Sequence, residues 1–483
     1  MARPGTVVIS IPPGPAGRVR RDLASIPCTS DTVELRADNL TTSDLTELVG
    51  GAARELIVSV RRPVDGGKFS GSDAERRAMF QAALDAGARW IDVEWGSAAS
   101  ELADGVHADR VILSDHGAAC EHAPLTQRLE RMSRSKAARL KLVARADRPS
   151  QIVAIRDLLR DRQDTRLCAF ALGQPGALTR LLALAWGSWG TYAAVREGAE
   201  TAPGQFTVAQ MRDVFGVSSI RESTRLVALA GTAVWPASPS PAMHHAGYRA
   251  LEMDRAYLPL QADDWGEVVT LSEALGFDGL AVTLPFKSAA AKFVARGDEL
   301  TALSAAVNTI VFEGGVAVGF NTDGPAAVDR LEASGLHPGD RIDILGTGGT
   351  ARAIAAALSC RGHRPRLWSR TPGRRLDLDP PLDHGVHAER TPGDTDWLIN
   401  ATPLRDETLI GAGVPARRGV LDAVYGRSPT ALIRNARAAG LKAVDGLALL
   451  LAQAERQFEL QTGQRPPAGL FAAAGQRHLD GFG

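Results

Sequence analysis

A lysine set inside an apolar run is the first residue of this sequence with an evident chemical use. Lys141 interrupts RLKLVA (139–144); burying an ammonium there favours the neutral amine. Such an amine condenses with a ketone to a Schiff base, which acidifies the neighbouring C–H bond. His116, following RVILSD (110–115), is suited to move protons at that carbon, and Glu94 in WIDVEW (90–95) is suited to orient or charge-tune the imidazole. Arg36, Arg61 and Arg180 supply planar forks for a carboxylate and hydroxyls; taken singly, each also suits a surface ion pair. A second concentration of chemistry is GTGGTARA, where Gly346, Gly348 and Gly349 follow an apolar run and precede an alanine-rich helical pattern. Glycines so placed let the backbone approach a pyrophosphate at a helix N-terminus, and Ala353 permits close helix–sheet packing. The next apolar run ends at Trp368-Ser369-Arg370-Thr371. Arg370 stands where an acidic residue would favour NAD, so the expected cofactor is NADP(H), its 2′-phosphate met by Arg370 with Arg374 assisting.

Repeated βα units must position these residues. Eight runs alternate with helical stretches over the first 220 residues: 6–11, 32–37, 55–60, 90–95, 110–115, 139–144, 166–172 and 188–195. That number and length predict a (β/α)₈ barrel, with an open doubly wound sheet as the rival. Glu34, Arg36, Arg61, Glu94, His116, Arg180 and Gln205 fall at or just after the C-terminal ends of these runs, and Lys141 lies in the sixth. In a barrel those positions converge on the face where active sites are built. A polar stretch, GVSSIREST (216–224), reads as a linker. Beyond it the βα pattern restarts, with a hairpin expected to turn at Glu313-Gly314-Gly315 and an amphipathic helix over 446–463.

Composition agrees with a multidomain enzyme. The 483 residues carry 55 basic and 55 acidic side chains, 45% hydrophobic and 23% charged, so a nucleic-acid binder with a broad basic face is disfavoured. The four cysteines form no CxxC or Cys/His cluster, so neither a disulfide framework nor a metal site is expected. Apolar runs such as LALLLA (447–452) are too short to span a membrane, and the N-terminus lacks a secretory pattern, giving a cytoplasmic expectation.

VELRAD, VSVRRPVDGG, WIDVEWG, ILSDHG, RLKLVA, LGQPGALTR and TAPGQF occur in the order found in type I 3-dehydroquinate dehydratases, a resemblance that spans residues 6–215. The resemblance implies that Lys141 is the Schiff-base lysine, His116 the general acid/base and Glu94 its partner. Glu34, Arg36, Arg61, Arg180 and Gln205 match the substrate-binding positions. Gly117 stands where the family usually has Asp-Phe after the histidine, and Leu142-Val143 where Ile-Ala is common.

GTAVWPASPSPAMHH (231–245), AVTLPFK (281–287), AVNTI (306–310), GFNTDG (319–324), NATP (400–403), LDAVYG (421–426) and DGLALLLAQAERQFELQTG (445–463) together resemble shikimate dehydrogenase over residues 225–475. By that resemblance Ser238 and Ser240 bind the substrate carboxylate, and Lys287 with Asp323 forms the pair that holds and protonates the substrate oxygen. Thr283, Asn308, Tyr425 and Gln453 are the further substrate positions. Gly346, Thr347, Gly348, Gly349, Thr350, Ala351, Ser369, Arg370, Thr371, Arg374 and Thr402 are the cofactor positions. His245, Ser369, Leu449 and Gly426-Arg427 depart from the family pattern.

The two resemblances meet on one molecule, because dehydration of 3-dehydroquinate gives 3-dehydroshikimate and NADPH-dependent reduction gives shikimate. The expected protein is a bifunctional α/β enzyme. It has a dehydratase barrel over 1–220, a substrate-binding domain over 225–325 completed by helices at about 446–475, and a Rossmann NADP-binding domain over 326–445. Its partners are then small molecules, with no nucleic acid and no membrane; monomer and homodimer stay open. The rivals are a catabolic quinate/shikimate dehydrogenase fusion using NAD, against which Arg370 argues, and a non-catalytic quinate-sensing regulator, which would not need its reacting side chains.

Overall fold

Alternation along eight short strands builds the first of two units. The computed structural model of the protein describes residues 5–27, 31–161, 165–369, 395–405 and 414–481. The chain divides into two compact units, Met1–Thr224 with Leu260–Leu275, and Arg225–Pro259 with Gly276–Gly483. In the first unit β1 (Thr6–Ile11), β2 (Val33–Arg36), β3 (Leu56–Ser59), β4 (Trp90–Glu94), β5 (Val111–Ala119), β6 (Arg139–Arg145), β7 (Leu167–Leu172) and β8 (Gly190–Ala194) form one sheet. Between them run α1 (Ala16–Ser25), α2 (Thr42–Gly50), α3 (Asp73–Asp85), α4 (His122–Met132), α5 (Val153–Asp161) and α6 (Ala177–Leu182). The strands are parallel neighbours in the order β7-β6-β5-β4-β3-β2-β1-β8. The two ends of that order meet where the Trp189 amide donates to the Leu167 carbonyl at 3.1 Å. This is the expected (β/α)₈ barrel, whose interior is packed with side chains.

The period-two pattern sorts that interior by height. Val8, Ile57, Trp90, Ile112, Val143, Cys168, Phe170 and Tyr192 form one apolar cluster. Two residues further along four of the strands stand Ser10, Ser59, Asp92 and Ser114, all buried. Below the apolar layer, at the starts of the strands, the Arg139 guanidinium lies 4.2 Å from the Trp90 ring and 4.3 Å from the Trp189 ring. Arg89 covers Trp90 at 4.2 Å. These cation–π stacks floor the barrel.

The second unit contains two sheets. β9 (Arg225–Gly231), α7 (Ser240–Ala250), β10 (Arg255–Gln261), α8 (Trp265–Leu275, grouped with the first unit), β11 (Gly279–Val282), α9 (Lys287–Phe293), β12 (Arg296–Gly297), α10 (Glu299–Ser304), β13 (Thr309–Glu313) and β14 (Val316–Phe320) come first. Their strands order as β10-β9-β11-β13-β14-β12. Glu313 pairs with Val316, so the hairpin turns on Gly314 and Gly315, whose φ values of 57° and 83° suit glycine. There follow α11 (Asp323–Ala333), β15 (Ile342–Leu345), α12 (Gly349–Cys360), β16 (Pro365–Trp368), β17 (Thr395–Asn400), β18 (Ala416–Asp422), α13 (Ala431–Ala438), β19 (Lys442–Val444), α14 (Gly446–Thr462) and α15 (Leu470–Asp480). The second sheet is parallel, β16-β15-β17-β18-β19, as a Rossmann-like unit requires. Among the described residues no helix is long and apolar enough to cross a membrane.

Helix packing ties the two sheets together. α14 puts Leu449 into the core of the second sheet and Ala454 and Phe458 into the core of the first. A Cβ on Gly324, beside Asp323, would meet the Ala353 carbonyl oxygen at 2.4 Å, so α11 and α12 touch backbone to backbone. The close approach expected at Ala353 is therefore also helix against helix, because the site residue Asp323 starts the neighbouring helix.

Two fully enclosed histidines make this core acid-sensitive. The His244 ring stacks on Tyr257 at 4.1 Å and has no hydrogen-bond partner among the described residues, whereas His245 Nε2 accepts the Tyr257 amide at 3.1 Å. Burial lowers each imidazole from 6.5 to about 3, with smaller contributions from His245 on His244 and from Arg249 on His245. The unfolded chain takes up these protons near pH 6.5 and the folded one does not. Stability is therefore lost as pH falls from 6.5 toward 3, at roughly 1.4 kcal/mol per histidine per pH unit. We expect hydrogen exchange at α7 and β10 to accelerate beyond the intrinsic pH effect between pH 7 and 5, with His244→Phe removing about half of the dependence. An unchanged opening free energy over that range would refute it.

Candidate active sites

The charged residues of the barrel form one network above its apolar layer. Lys141 Nζ donates to Asp92 Oδ2 at 2.8 Å and to Glu34 Oε1 at 3.5 Å, and lies 4.0 Å from the Tyr192 ring centroid. Glu34 accepts from the hydroxyls of Ser10 and Ser59, each at 2.8 Å; Asp92 accepts from Ser114 at 2.5 Å. Burial works to raise both carboxyls, but Lys141 and Arg61 outweigh it and hold both well below the usual carboxylate range. Both are thus anions facing the lysine.

Arg61 is the hub of the network. It reaches Asp92 and Glu94, each at 3.4 Å, and its Nη1 lies 2.6 Å from His116 Nε2. Burial first, then the charges of Arg61 and Lys141, pushes the His116 imidazole well below 6.5, so it is neutral near pH 7 and able to accept a proton. Glu94 meets the imidazole only through Arg61, and its other oxygen is ion-paired with Arg76 of α3. Arg36 is held by Asp38 at 2.8 Å. Gln205 accepts from the Thr201 amide at 2.8 Å and so shapes the loop after β8.

Arg180 differs from the other cations. It is 1% exposed, stacks over Phe170 at 4.5 Å and donates only to the Tyr192 carbonyl, at 3.3 Å. Among the described residues its Nε has no partner, and burial pushes its guanidinium down to about 10. Among the described residues no carboxylate pairs with it. A buried cation of this kind is costly unless an anion arrives. Gly117, the departure after His116, has φ 87° and sits at a bulge in the β5–β6 ladder, a conformation that glycine adopts without strain.

In the second unit the expected residues gather where the two sheets face each other. Lys287, the first residue of α9, is ion-paired with Asp323, the first residue of α11, and donates to Thr350 Oγ1 at 2.8 Å. Asp323 Oδ1 accepts from Asn308 Nδ2 at 2.8 Å. Gln453 of α14 accepts from Thr322 at 3.2 Å and faces Asn308 at 3.4 Å. Ser238 donates to Ser240 at 3.1 Å; Ser238 also bonds Tyr425, and Ser240 bonds Tyr257. Thr283 is half-buried after β11. A Cβ on Gly426 would meet the tip of the Arg405 side chain at 2.6 Å; nothing in the structure explains the Gly426-Arg427 departure.

The glycine turn fits a dinucleotide. Gly346 has φ 113°, and a Cβ there would lie 3.0 Å from the Ala401 carbonyl and 3.3 Å from Thr402 Cγ2. At Gly348 nothing lies within 4 Å of a Cβ position, and no side chain caps α12. The uncapped amides are therefore free for an anion. Thr347, Ala351 and Ser369 are buried around this turn. Arg370, Thr371 and Arg374 lie outside the described residues.

Comparison with known proteins divides at the same place. Residues 7–222 match the type I 3-dehydroquinase model, and residues 230–310 match the shikimate dehydrogenase substrate-binding domain. A shikimate dehydrogenase (NADP(+)) of Haloarcula marismortui is 36% identical over 50% of this chain and 95% of its own. The chain belongs to the shikimate dehydrogenases over its second half, and its first half matches the type I 3-dehydroquinases. A bifunctional 3-dehydroquinate dehydratase/shikimate dehydrogenase of Arabidopsis thaliana, a chloroplastic protein, is 26% identical over 92% of this chain and 79% of its own. Among solved structures, the dehydroquinate dehydratase and shikimate dehydrogenase of S. pombe covers 99% of this chain and 98% of its own at 23% identity and TM-score 0.43. The shikimate 5-dehydrogenase of Thermus thermophilus covers 53% of this chain and 99% of its own at 31% identity and TM-score 0.46.

Asp38, Asp92 and Arg76 of the barrel network were not singled out from the sequence. Asp92 precedes Glu94 by two positions in WIDVE, so the alternation that turns Glu94 inward turns Asp92 inward as well. Arg76 sits on α3 within SDAERRAMF and resembles a solvated helix charge, yet it is 0% exposed. Asp92→Asn leaves Lys141 and Arg61 with one counter-charge fewer. We expect at least a tenfold loss in turnover by the barrel and destabilisation of about 3–5 kcal/mol, as for a broken buried pair. Wild-type turnover and unfolding would show that Asp92 is incidental.

Proposed function

We propose that this protein dehydrates 3-dehydroquinate to 3-dehydroshikimate in the barrel and reduces 3-dehydroshikimate to shikimate, with NADPH, in the second unit. It is an enzyme of the shikimate pathway with lyase and oxidoreductase halves. The observation that carries the reading is the placement of Lys141, a lysine enclosed among oriented carboxylates in an interior that also holds Arg180 without an anion. A ketone bearing a carboxylate satisfies both.

In the barrel, Lys141 gives up a proton and its amine attacks the ketone carbon; the proton returns to the carbinolamine hydroxyl, which leaves as water, forming an iminium whose positive charge faces Asp92 and Glu34. Neutral His116 takes the proton from the adjacent carbon, and the electron pair expels the neighbouring hydroxyl, which leaves as water with a proton returned by His116. Hydrolysis of the iminium restores Lys141. Arg180 binds the substrate carboxylate.

In the second unit, NADPH supplies the hydride when bound, on the uncapped amides of the Gly346–Gly349 turn. Similarity to shikimate dehydrogenases (NADP(+)) supports this choice, as does Arg370. Ser238 and Ser240 hold the carboxylate, with Tyr425 beside them. Lys287 gives a proton to the ketone oxygen as that oxygen gains charge, and Asp323 holds the ammonium in place.

Incubating the protein with 3-dehydroquinate and borohydride should add a reduced substrate adduct to Lys141. Lys141→Ala should abolish that adduct, and undiminished trapping would sink the Schiff-base assignment. Lys287→Ala should leave the dehydration rate near wild type while NADP-dependent shikimate oxidation falls at least a hundredfold. Parallel assays with NAD and with quinate test the catabolic alternative.

A further inference from the structure

We propose that Thr350, a residue of the nucleotide turn, is a positioning residue for the Lys287 proton donor, so that the helix which receives the cofactor also aims the ammonium. The inference rests on reading the second unit as a shikimate dehydrogenase.

The geometry counts donors. A lysine ammonium has three N–H groups. One goes to Asp323 and one to Thr350 Oγ1 at 2.8 Å, leaving a single N–H for a substrate oxygen. The Thr350 hydroxyl in turn donates to Asp323 Oδ2 at 3.2 Å. Lysine, threonine and aspartate thus close a three-membered ring of hydrogen bonds, which fixes the rotation of the ammonium about its Cε–Nζ bond. Without Thr350 that rotation has one anchor instead of two.

Independent packing points the same way. A Cβ on Gly349 would sit 2.9 Å from Lys287 Cβ and 3.2 Å from its Cδ, so the third glycine of the turn serves the lysine stem. Gly348, by contrast, faces open space where a pyrophosphate can approach. Arg352, one turn into α12, fastens the same helix to the other lobe by donating to Ser288 Oγ at 2.7 Å, the Ser304 carbonyl at 2.8 Å and the Ala305 carbonyl at 3.1 Å. Successive residues of the turn therefore divide their duties: Gly348 leaves space for the cofactor, Gly349 and Thr350 hold the catalytic lysine, and Arg352 holds the two lobes in register.

The test compares Thr350→Val, which keeps the shape and removes the hydroxyl, with Thr350→Ser, which restores it, in the full-length protein. Shikimate oxidation is measured at saturating NADP⁺, and NADP⁺ affinity is measured separately by fluorescence titration. The proposal expects kcat to fall about tenfold or more in Thr350→Val, NADP⁺ Kd to stay within about twofold, and Thr350→Ser to recover most of the loss. A higher NADP⁺ Kd with unchanged kcat would assign Thr350 to cofactor binding and overturn the proposal, as would wild-type behaviour or a Thr350→Ser variant as slow as Thr350→Val. If the wild-type protein does not oxidise shikimate at all, the underlying reading fails, an outcome visible before any variant is compared.

Discussion

Everything in the barrel depends on keeping an ammonium inside a protein. A lysine removed from water loses its hydration, and the structure replaces that hydration with Asp92 and Glu34. Those carboxylates would in turn be costly alone, so Ser10, Ser59 and Ser114 direct hydroxyls at them and Arg61 shares the charge. The requirement then spreads outward to Glu94 and to Arg76, which must leave the surface of α3 to meet it. Arg36, Arg61, Arg76 and Lys141 each meet a buried carboxylate in this way. Arg180 is buried as deeply, but among the described residues no carboxylate pairs with it.

The second unit solves a different problem, because Lys287, the proposed proton donor, and the glycine turn proposed for the nucleotide belong to different sheets. Their meeting is fixed where helices begin: α9 at Lys287, α11 at Asp323 and α12 at Gly349. Short side chains and glycines let these starts crowd together, with Gly324 against Ala353 and Gly349 against Lys287. α14 holds the arrangement by burying residues in both cores. Close packing of this kind leaves few positions free to vary.

Much of this was legible in the residues. Eight runs became eight strands because alternation and apolar content coincide in buried parallel strands, and the glycine pair at 314–315 set the hairpin turn. Lys141 stood out since a charge inside an apolar run needs a reason. Asp92 escaped notice because its partner Glu94 already accounted for the acidity of that strand. Arg76 escaped because a helix surface normally holds arginine, and only the depth of Glu94 draws it inward. The bond from Lys287 to Thr350 joins residues far apart in sequence, and no local pattern encodes it. Gly117, noted only as a departure from the family pattern, has a φ of 87° that glycine adopts without strain. Arg370, which carried the choice between NADP and NAD, lies outside the described residues, so that choice rests on sequence and on relatives.

The stacked arginines and tryptophans beneath the barrel have a consequence for traffic. With Arg89, Trp90, Arg139 and Trp189 layered across the strand starts and an apolar plug above them, the vessel is a cul-de-sac. Whatever enters by the mouth must leave by it. Each turnover of the proposed reaction makes two products from one substrate, a small water and a bulky enone still attracted to Arg180. Substrate and both products therefore share that opening, and no newcomer can push from behind. Exchange at this mouth is a queue rather than a flow: one occupant leaves before the next arrives.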